Sequence, residues 1–209
     1  MLAASRFDAN MVPTAASIVT LSYCMPPTNT GTTPHAAADA ANSGSPDGLE
    51  FRCPGVADGV RVWEIARDSQ VLDLNSSYAY VLWCRDFAAT SVVAVDTGRV
   101  VGFVSGYVRP QRADTLFIWQ VAVDAGERGR GMAGRMLDRL LDRLRPDGVM
   151  RLETTISPDN TASQALFTAL ARRRHTDITK HDLFAPEHFP DSHEAEELYL
   201  IGHDDGGPQ

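Results

Sequence analysis

The run Arg128-Gly129-Arg130-Gly131-Met132-Ala133 follows an apolar stretch, TLFIWQVAVD, and opens a helical pattern with Met136, Leu137, Leu140, Leu141 and Leu144 on one face. Glycines at such a turn let successive backbone N–H groups converge, and the helix start adds partial positive charge, so the combination suits a pyrophosphate. Arg128 and Arg130 supply cationic side chains beside it. An ordinary glycine-containing helix entrance with solvated arginines satisfies the same string. The loop lacks the Lys-Ser/Thr ending of a nucleotide-hydrolysing P-loop and the first glycine spacing of a dinucleotide fingerprint, which counts against both chemistries.

The elements needed to hold this loop can be read on either side of it. A short strand at Leu49 to Cys53 precedes Pro54 and a helix through Val60, Trp63 and Ala66. A second helix follows Asn75, with Ser76 as N-cap and Tyr78, Leu82 and Arg85 stacked on one side. SVVAVD and RVVGFVSGYV, joined by Thr97-Gly98, predict an antiparallel hairpin. A loop marked by Pro110 and Asp114 leads to TLFIWQVAVD, apolar on both alternating sets and so a buried central strand. After the glycine loop and its helix come a strand, VMRLETTIS, and a helix Thr161 to Arg173 with Ala165, Leu166, Ala169 and Leu170 as its buried side. The order implies one mixed α/β domain over residues 49–203, with a six-residue tail at 204–209. Residues 1–48 hold only four charged groups (Arg6, Asp8, Asp39, Asp47) and no period that buries a face, and read as a disordered extension.

A net charge of −8, from 27 acidic against 19 basic residues, opposes a nucleic-acid partner. Three cysteines (Cys24, Cys53, Cys84) without a CxxC pair suggest neither a disulfide framework nor a metal site, which fits a reducing, cytoplasmic setting. No apolar run reaches the roughly 18 residues of a membrane span.

The loop resembles the acetyl-CoA loop of the GNAT acetyltransferases, Arg/Gln-x-x-Gly-x-Gly/Ala, through Arg128, Gly131 and Ala133. The resemblance implies a mixed central sheet of six or seven strands with flanking helices, and acetyl-CoA as cosubstrate. It also implies that the central strand splays from the LETTIS strand, the pantetheine arm bonding the backbone of Gln120, Val121, Ala122 and Val123. VLDLNSSYAYVLWCRDFAATSVVA, GFVSGY, TLFIWQVAVD, RLETTISPDN and HEAEELYLIG together are similar to the diaminobutyrate acetyltransferases of ectoine synthesis. That narrower resemblance implies acetylation of the 4-amino group of L-2,4-diaminobutyrate, with dimerisation common in the family; the loop alone equally fits a GNAT enzyme acting on another amine, such as ornithine, a polyamine or a protein terminus, and a non-catalytic acetyl-CoA sensor would keep it while tolerating loss of the pocket carboxylates.

An alkyl ammonium with a pKa of about 10 must lose a proton before it attacks a thioester. Glu153 on the LETTIS strand is the first candidate base, directly or through a water, and Asp73 the alternative; pairing of Glu153 with Arg151 or Arg139, or a merely dipole-stabilised Asp73, are the plainer readings. A substrate with two ammonium groups suits an acidic pocket, one carboxylate holding the 2-ammonium while the other serves the 4-amine. Trp119 is a candidate channel wall, or a plain core tryptophan. Tyr78, Asn75, Thr155 and His193 are candidate substrate contacts, and Asn160 a cofactor contact or a helix cap. Members of the superfamily often carry a tyrosine where this chain has Phe167, which leaves the acid for the departing thiolate unassigned.

Overall fold

The computed structural model describes residues 48–190 and 193–202. The expected N-terminal extension, apart from Gly48, and the C-terminal tail lie outside them. The strands are β1 (Leu49–Arg52), β2 (Val92–Asp96), β3 (Arg99–Arg109), β4 (Arg112–Val123), β5 (Arg151–Ile156), β6 (Ile178–Phe184) and β7 (Glu196–Ile201). The helices are α1 (Gly59–Ser69), α2 (Ser77–Asp86), α3 (Met132–Leu144) and α4 (Thr161–Arg173). All seven strands form one sheet in the order β1-β2-β3-β4-β5-β7-β6, in which β4 and β5 are parallel and the other neighbours antiparallel.

Alternating residues of the inner strands feed two cores. Val92, Ala94, Leu116, Ile118, Leu152 and Ile156 pack against Met136, Leu137 and Leu140 of α3 and Phe167 and Leu170 of α4. Val93, Val95, Phe103 and Ala122 pack against Val62 and Ile65 of α1 and Tyr80 and Cys84 of α2. Burial pushes the Cys84 thiol up to about 12, the mark of a packing residue rather than a nucleophile.

The β2–β3 turn takes the conformation its sequence demands, Thr97 at φ 47° and Gly98 at φ 81°, as a two-residue hairpin turn requires. Ser105 pairs with Gln120 but Gly106 pairs with Ile118, so Trp119 is the extra residue of a β-bulge. The bulge reverses the alternation of β4: Leu116 and Ile118 point to the α3–α4 core, whereas Ala122 points to the α1–α2 core.

Several local expectations are corrected. Asp114 lies inside β4, because the β3–β4 connection is a tight turn at Pro110 and Gln111. The first strand ends at Arg52, one residue before Cys53. Ser76 stands at the α2 N-cap without a side-chain capping bond. The buried stripe of α2 is Tyr80 and Cys84, i and i+4, with Tyr78 and Arg85 exposed. On α4 the buried residues are Phe167, Leu170 and Ala171; Ala165 is exposed, since the helix packs one position further round than its small residues suggest.

Candidate active site

Parallel pairing between β4 and β5 lasts four steps, from Thr115 with Arg151 to Ile118 with Thr154. Beyond it β4 runs on to Val123, while Thr155 and Ile156 pair only with β7. The strands part, and a cavity of about 650 Å³ opens where they do. Its walls include Asp73 from the α1–α2 connection, Trp119, Gln120 and Val121 from β4, Thr154 to Ser157 and Asn160 from β5 and its exit, and Phe167 from α4. Phe184, Phe189, His193, Glu194 and Glu196 close the side formed by β6, β7 and their connection.

At the far end of β4 the glycine loop leads into α3. Gly129 has φ 78° and Gly131, the helix N-cap, φ 67°. A Cβ at either would meet no atom within 4 Å, so backbone conformation, not crowding, calls for glycine, and the space above the turn stays open for a ligand. The Arg128 Nε donates to the Val123 carbonyl at 3.2 Å, tying the loop to the strand end, and Arg130 pairs with Glu127. Met132 contributes its backbone to the turn while its side chain is buried in the core. Backbone amides at a helix N-terminus, beside a strand segment that keeps β3 but has lost β5 as a partner, fit a pyrophosphate-bearing pantetheine thioester, and residues 128–133 with Gln120 to Val123 are those that would hold it.

Across the cavity mouth, His193 Nε2 lies 3.0 Å from Asp73 Oδ2 and Nδ1 lies 2.8 Å from the Glu194 carbonyl. Both partners only accept, so the arrangement favours the doubly protonated ring, the imidazolium. The Glu194 carbonyl and then the Asp73 carboxylate hold its pKa above the ordinary histidine value. Phe189 stacks on the ring at 4.2 Å between centroids. The carboxyl of Glu196 is pushed above the usual carboxylate range, mainly by burial and further by Asp73 and Asp159, against the opposing influence of Thr155 and His193. A half-buried carboxylate with a raised pKa in a cleft is suited to exchanging protons.

The cavity therefore gathers Asp73, Trp119, Gln120, Val121, Thr155, Asn160 and His193. It leaves out Asn75, Tyr78, Ala122, Val123 and Glu153, and the loop residues Arg128, Gly129, Arg130, Gly131, Met132 and Ala133 lie outside its walls. Asn75 donates to the Asp73 carbonyl at 3.3 Å, Tyr78 faces outward, and Ala122 packs under α1. Asn160 caps α4, its side-chain oxygen accepting from the Ser163 amide at 3.0 Å, and still borders the cavity. Trp119 stacks on Trp83 at 4.4 Å and on Tyr80 at 6.2 Å, forming the wall with an aromatic backing.

Glu153 is 1% exposed and faces neither Arg151 nor Arg139; its carboxylate pairs with Arg109 and, at 3.4 Å, with Arg112, at the base of the β3–β4 hairpin tip. Two guanidinium groups on one carboxylate occupy the lone pairs a base would use. Glu196 was missed from sequence. It sits in the quoted HEAEELY string, but only the antiparallel pairing of β7 with β5, Ile156 opposite Glu197, turns it toward Thr155 and the cavity.

Among the described residues no group of three or more His, Cys, Asp or Glu is placed to hold a metal, and no helix is long and apolar enough to cross a membrane.

Residues 60–171 match the model of the acetyltransferase (GNAT) family. The L-2,4-diaminobutyric acid acetyltransferase of Nocardia farcinica is 58% identical over 151 residues, 72% of this chain and 78% of that protein. Its counterpart from Streptomyces coelicolor is 59% identical over 157 residues, 74% of this chain and 92% of that protein. The solved structure of the diaminobutyrate acetyltransferase EctA of Paenibacillus lautus, in complex with its substrate L-2,4-diaminobutyric acid and coenzyme A, superposes with a TM-score of 0.71 at 41% identity, covering 76% of this chain and 98% of that one. With its seven-stranded splayed sheet, its glycine loop and these relatives, the chain belongs to the GNAT acetyltransferases and, within them, to the L-2,4-diaminobutyric acid acetyltransferase family.

Proposed function

We propose that this protein transfers the acetyl group of acetyl-CoA to the 4-amino group of L-2,4-diaminobutyrate, giving N4-acetyl-L-2,4-diaminobutyrate for ectoine synthesis. The observation that carries the reading is the convergence of Asp73, Glu196 and the His193 imidazolium on the opening between β4 and β5, in a chain of this family. The amides of Gly129 to Ala133 hold the pyrophosphate, and the β4 backbone from Gln120 to Val123, left without a partner on its β5 side, takes the pantetheine arm. Asp73 attracts the 2-ammonium and the imidazolium attracts the substrate carboxylate, which leaves the side chain pointing into the cavity. Glu196 takes a proton from the 4-ammonium; the freed amine attacks the thioester carbonyl, the C–N bond forms, the C–S bond breaks, and the nitrogen sheds its second proton to water, leaving a neutral amide. Phe167 brings no hydroxyl to the cavity wall, so the departing thiolate takes its proton from water. Glu153 serves as an anchor for Arg109 and Arg112 rather than as the base.

Release of coenzyme A thiol with diaminobutyrate, ornithine, lysine and a peptide tests the acceptor. Diaminobutyrate is expected to be preferred, and preference for ornithine or the peptide would refute the assignment. The Glu153→Gln protein, run in parallel, is expected to keep kcat within about fivefold while losing about 1–3 kcal/mol of stability, because a neutral amide replaces the carboxylate between two half-solvated guanidiniums. A kcat loss of 10²-fold or more, at unchanged stability, would restore Glu153 as the base.

Dependence on acetyl-CoA and the buried Cys84 thiol favour a cytoplasmic setting. We read the assembly as a homodimer: β6 is an edge strand whose Leu183 and Phe184 are exposed, and a second copy would cover them. Sedimentation equilibrium is expected to give twice the chain mass, and a monomer at micromolar concentration contradicts this.

A further inference from the structure

We propose that the Gln120 side chain is a positioning residue that sets how deep the Asp73 carboxylate stands in the cavity, and thereby which length of diamino acid is accepted. The inference rests on the diamino acid reading above and concerns a side chain to which that reading gave no role, since only the Gln120 backbone was assigned.

The bulge at Trp119 is what makes the contact possible. In a regular strand Trp119 and Gln120 would point to opposite faces; the extra residue lets Trp119 lie against α2 while Gln120 also reaches the α1–α2 side. There the Gln120 Nε2 donates to the main-chain carbonyl of Asp73 at 3.0 Å, bridging 47 positions of sequence. Because a carbonyl only accepts, this bond fixes the orientation of the amide and turns Oε1 the other way. Oε1 is buried and no donor among the described residues reaches it. Gln120 as a whole is 5% exposed.

A leucine here would fill much the same space without an orphaned acceptor, so core stability does not explain the glutamine. Its bond to Asp73 does. The Asp73 carboxylate is itself held on the other side by His193, at 3.0 Å. Three bonds thus act on one residue: His193 on the carboxylate, and Gln120 and, at a longer 3.3 Å, Asn75 on the carbonyl of the backbone that carries it; Asn75 belongs to the same connection, so only the Gln120 bond ties that backbone to the sheet. The backbone tether originates in β4, the strand expected to carry the thioester, so it fixes the distance between the reacting carbon and the group that anchors the 2-ammonium. That distance is what separates a four-carbon diamino acid from its five-carbon homologue.

The test compares wild type, Gln120→Leu and Gln120→Glu with diaminobutyrate, ornithine and acetyl-CoA as varied substrates, together with thermal unfolding. In Gln120→Leu, KM for diaminobutyrate is expected to rise about tenfold, as loss of one well-made hydrogen bond implies, with kcat and acetyl-CoA KM changing less than about threefold. Selectivity for diaminobutyrate over ornithine is expected to fall by a similar factor, and the unfolding midpoint to stay level or rise. A lower midpoint, an unfolded variant, or a fall in kcat at unchanged selectivity would overturn the proposal in favour of a structural role. Gln120→Glu is an independent check: a neutral carboxyl can donate to the Asp73 carbonyl and an ionised one cannot. Its KM relative to wild type at each pH is expected to approach one at low pH and climb as pH rises. A flat ratio contradicts the tether. Wild-type enzyme inert towards both amino acids defeats the acceptor reading and this proposal with it, whereas an active wild type whose selectivity Gln120→Leu leaves intact defeats this proposal alone.

Discussion

Replacing Glu196 by glutamine is expected to lower kcat for diaminobutyrate by about 10²- to 10⁴-fold, the range lost when a positioned general base is removed. The amide keeps the size of the side chain and its contact with Thr155, and loses only the ability to accept a proton. The pH profile supplies the sign. Burial and neighbouring carboxylates raise the pKa of Glu196, and the deprotonated form is the one that works, so wild-type kcat is expected to fall as pH drops through a value above the ordinary carboxylate range. Glu196→Gln is expected to lose that acid limb. A carboxyl whose folded pKa is raised is destabilising once ionised, at pH values above its unfolded pKa, so the variant should unfold no more easily than wild type at neutral pH. Steady-state kinetics from pH 5 to 9 with parallel thermal melts would check both; an unchanged acid limb would assign the proton transfer elsewhere, with Asp73 the next candidate.

Gly106→Ala is expected to destabilise the protein by about 2–4 kcal/mol, lowering the unfolding midpoint by roughly 5–15 °C. A Cβ at Gly106 would stand 2.6 Å from the Phe117 carbonyl oxygen, 3.2 Å from Ile118 Cδ1 and 3.3 Å from the Thr90 carbonyl oxygen. Two of the three neighbours are main chain and cannot rotate away. Gly106 pairs with Ile118 at the edge of the Trp119 bulge, so any backbone shift that relieves the clash displaces the cavity wall, and a rise in KM is expected alongside the lost stability. Gly126→Ala is the control: nothing lies within 4 Å of its Cβ position, and a change of less than about 0.5 kcal/mol is expected. Equal effects in the two variants would mean that the crowding at Gly106 is not what holds the bulge.

The parts of the fold legible in the sequence were those encoded by local period and turn chemistry. The α3 face of Met136, Leu137, Leu140, Leu141 and Leu144 is buried as its spacing requires, and Thr97-Gly98 forms the tight turn it suggests. The glycine loop was equally legible, because φ values near 70–80° at Gly129 and Gly131 are a local demand that residue type reveals. Less visible was anything decided across the sheet. Glu153 and Glu196 are both acids on inner strands, and only strand register shows that Arg109 and Arg112 meet the first while Thr155 meets the second. The bulge at Trp119 was invisible for the same reason, since an extra residue in one strand exists only relative to its partner. Trp119, Gln120 and Asp73 could be singled out one by one, but not the bond that joins two of them.

The parting of β4 from β5 after Ile118 and Thr154 divides the protein's evolutionary freedoms unequally. On the proposed donor side the groups left open by β5 are main-chain amides and carbonyls, which every substitution short of proline preserves, so recognition of a thioester arm there would tolerate many side-chain changes. On the acceptor side Asp73, His193 and Glu196 come from two separate connections and a strand end, so each side chain can be exchanged without rebuilding the backbone that carries the others, although the three are coupled electrostatically. A lineage built this way can exchange one amine for another by altering a few side chains at the rim, while its capacity to carry an activated acyl group is inherited with the backbone.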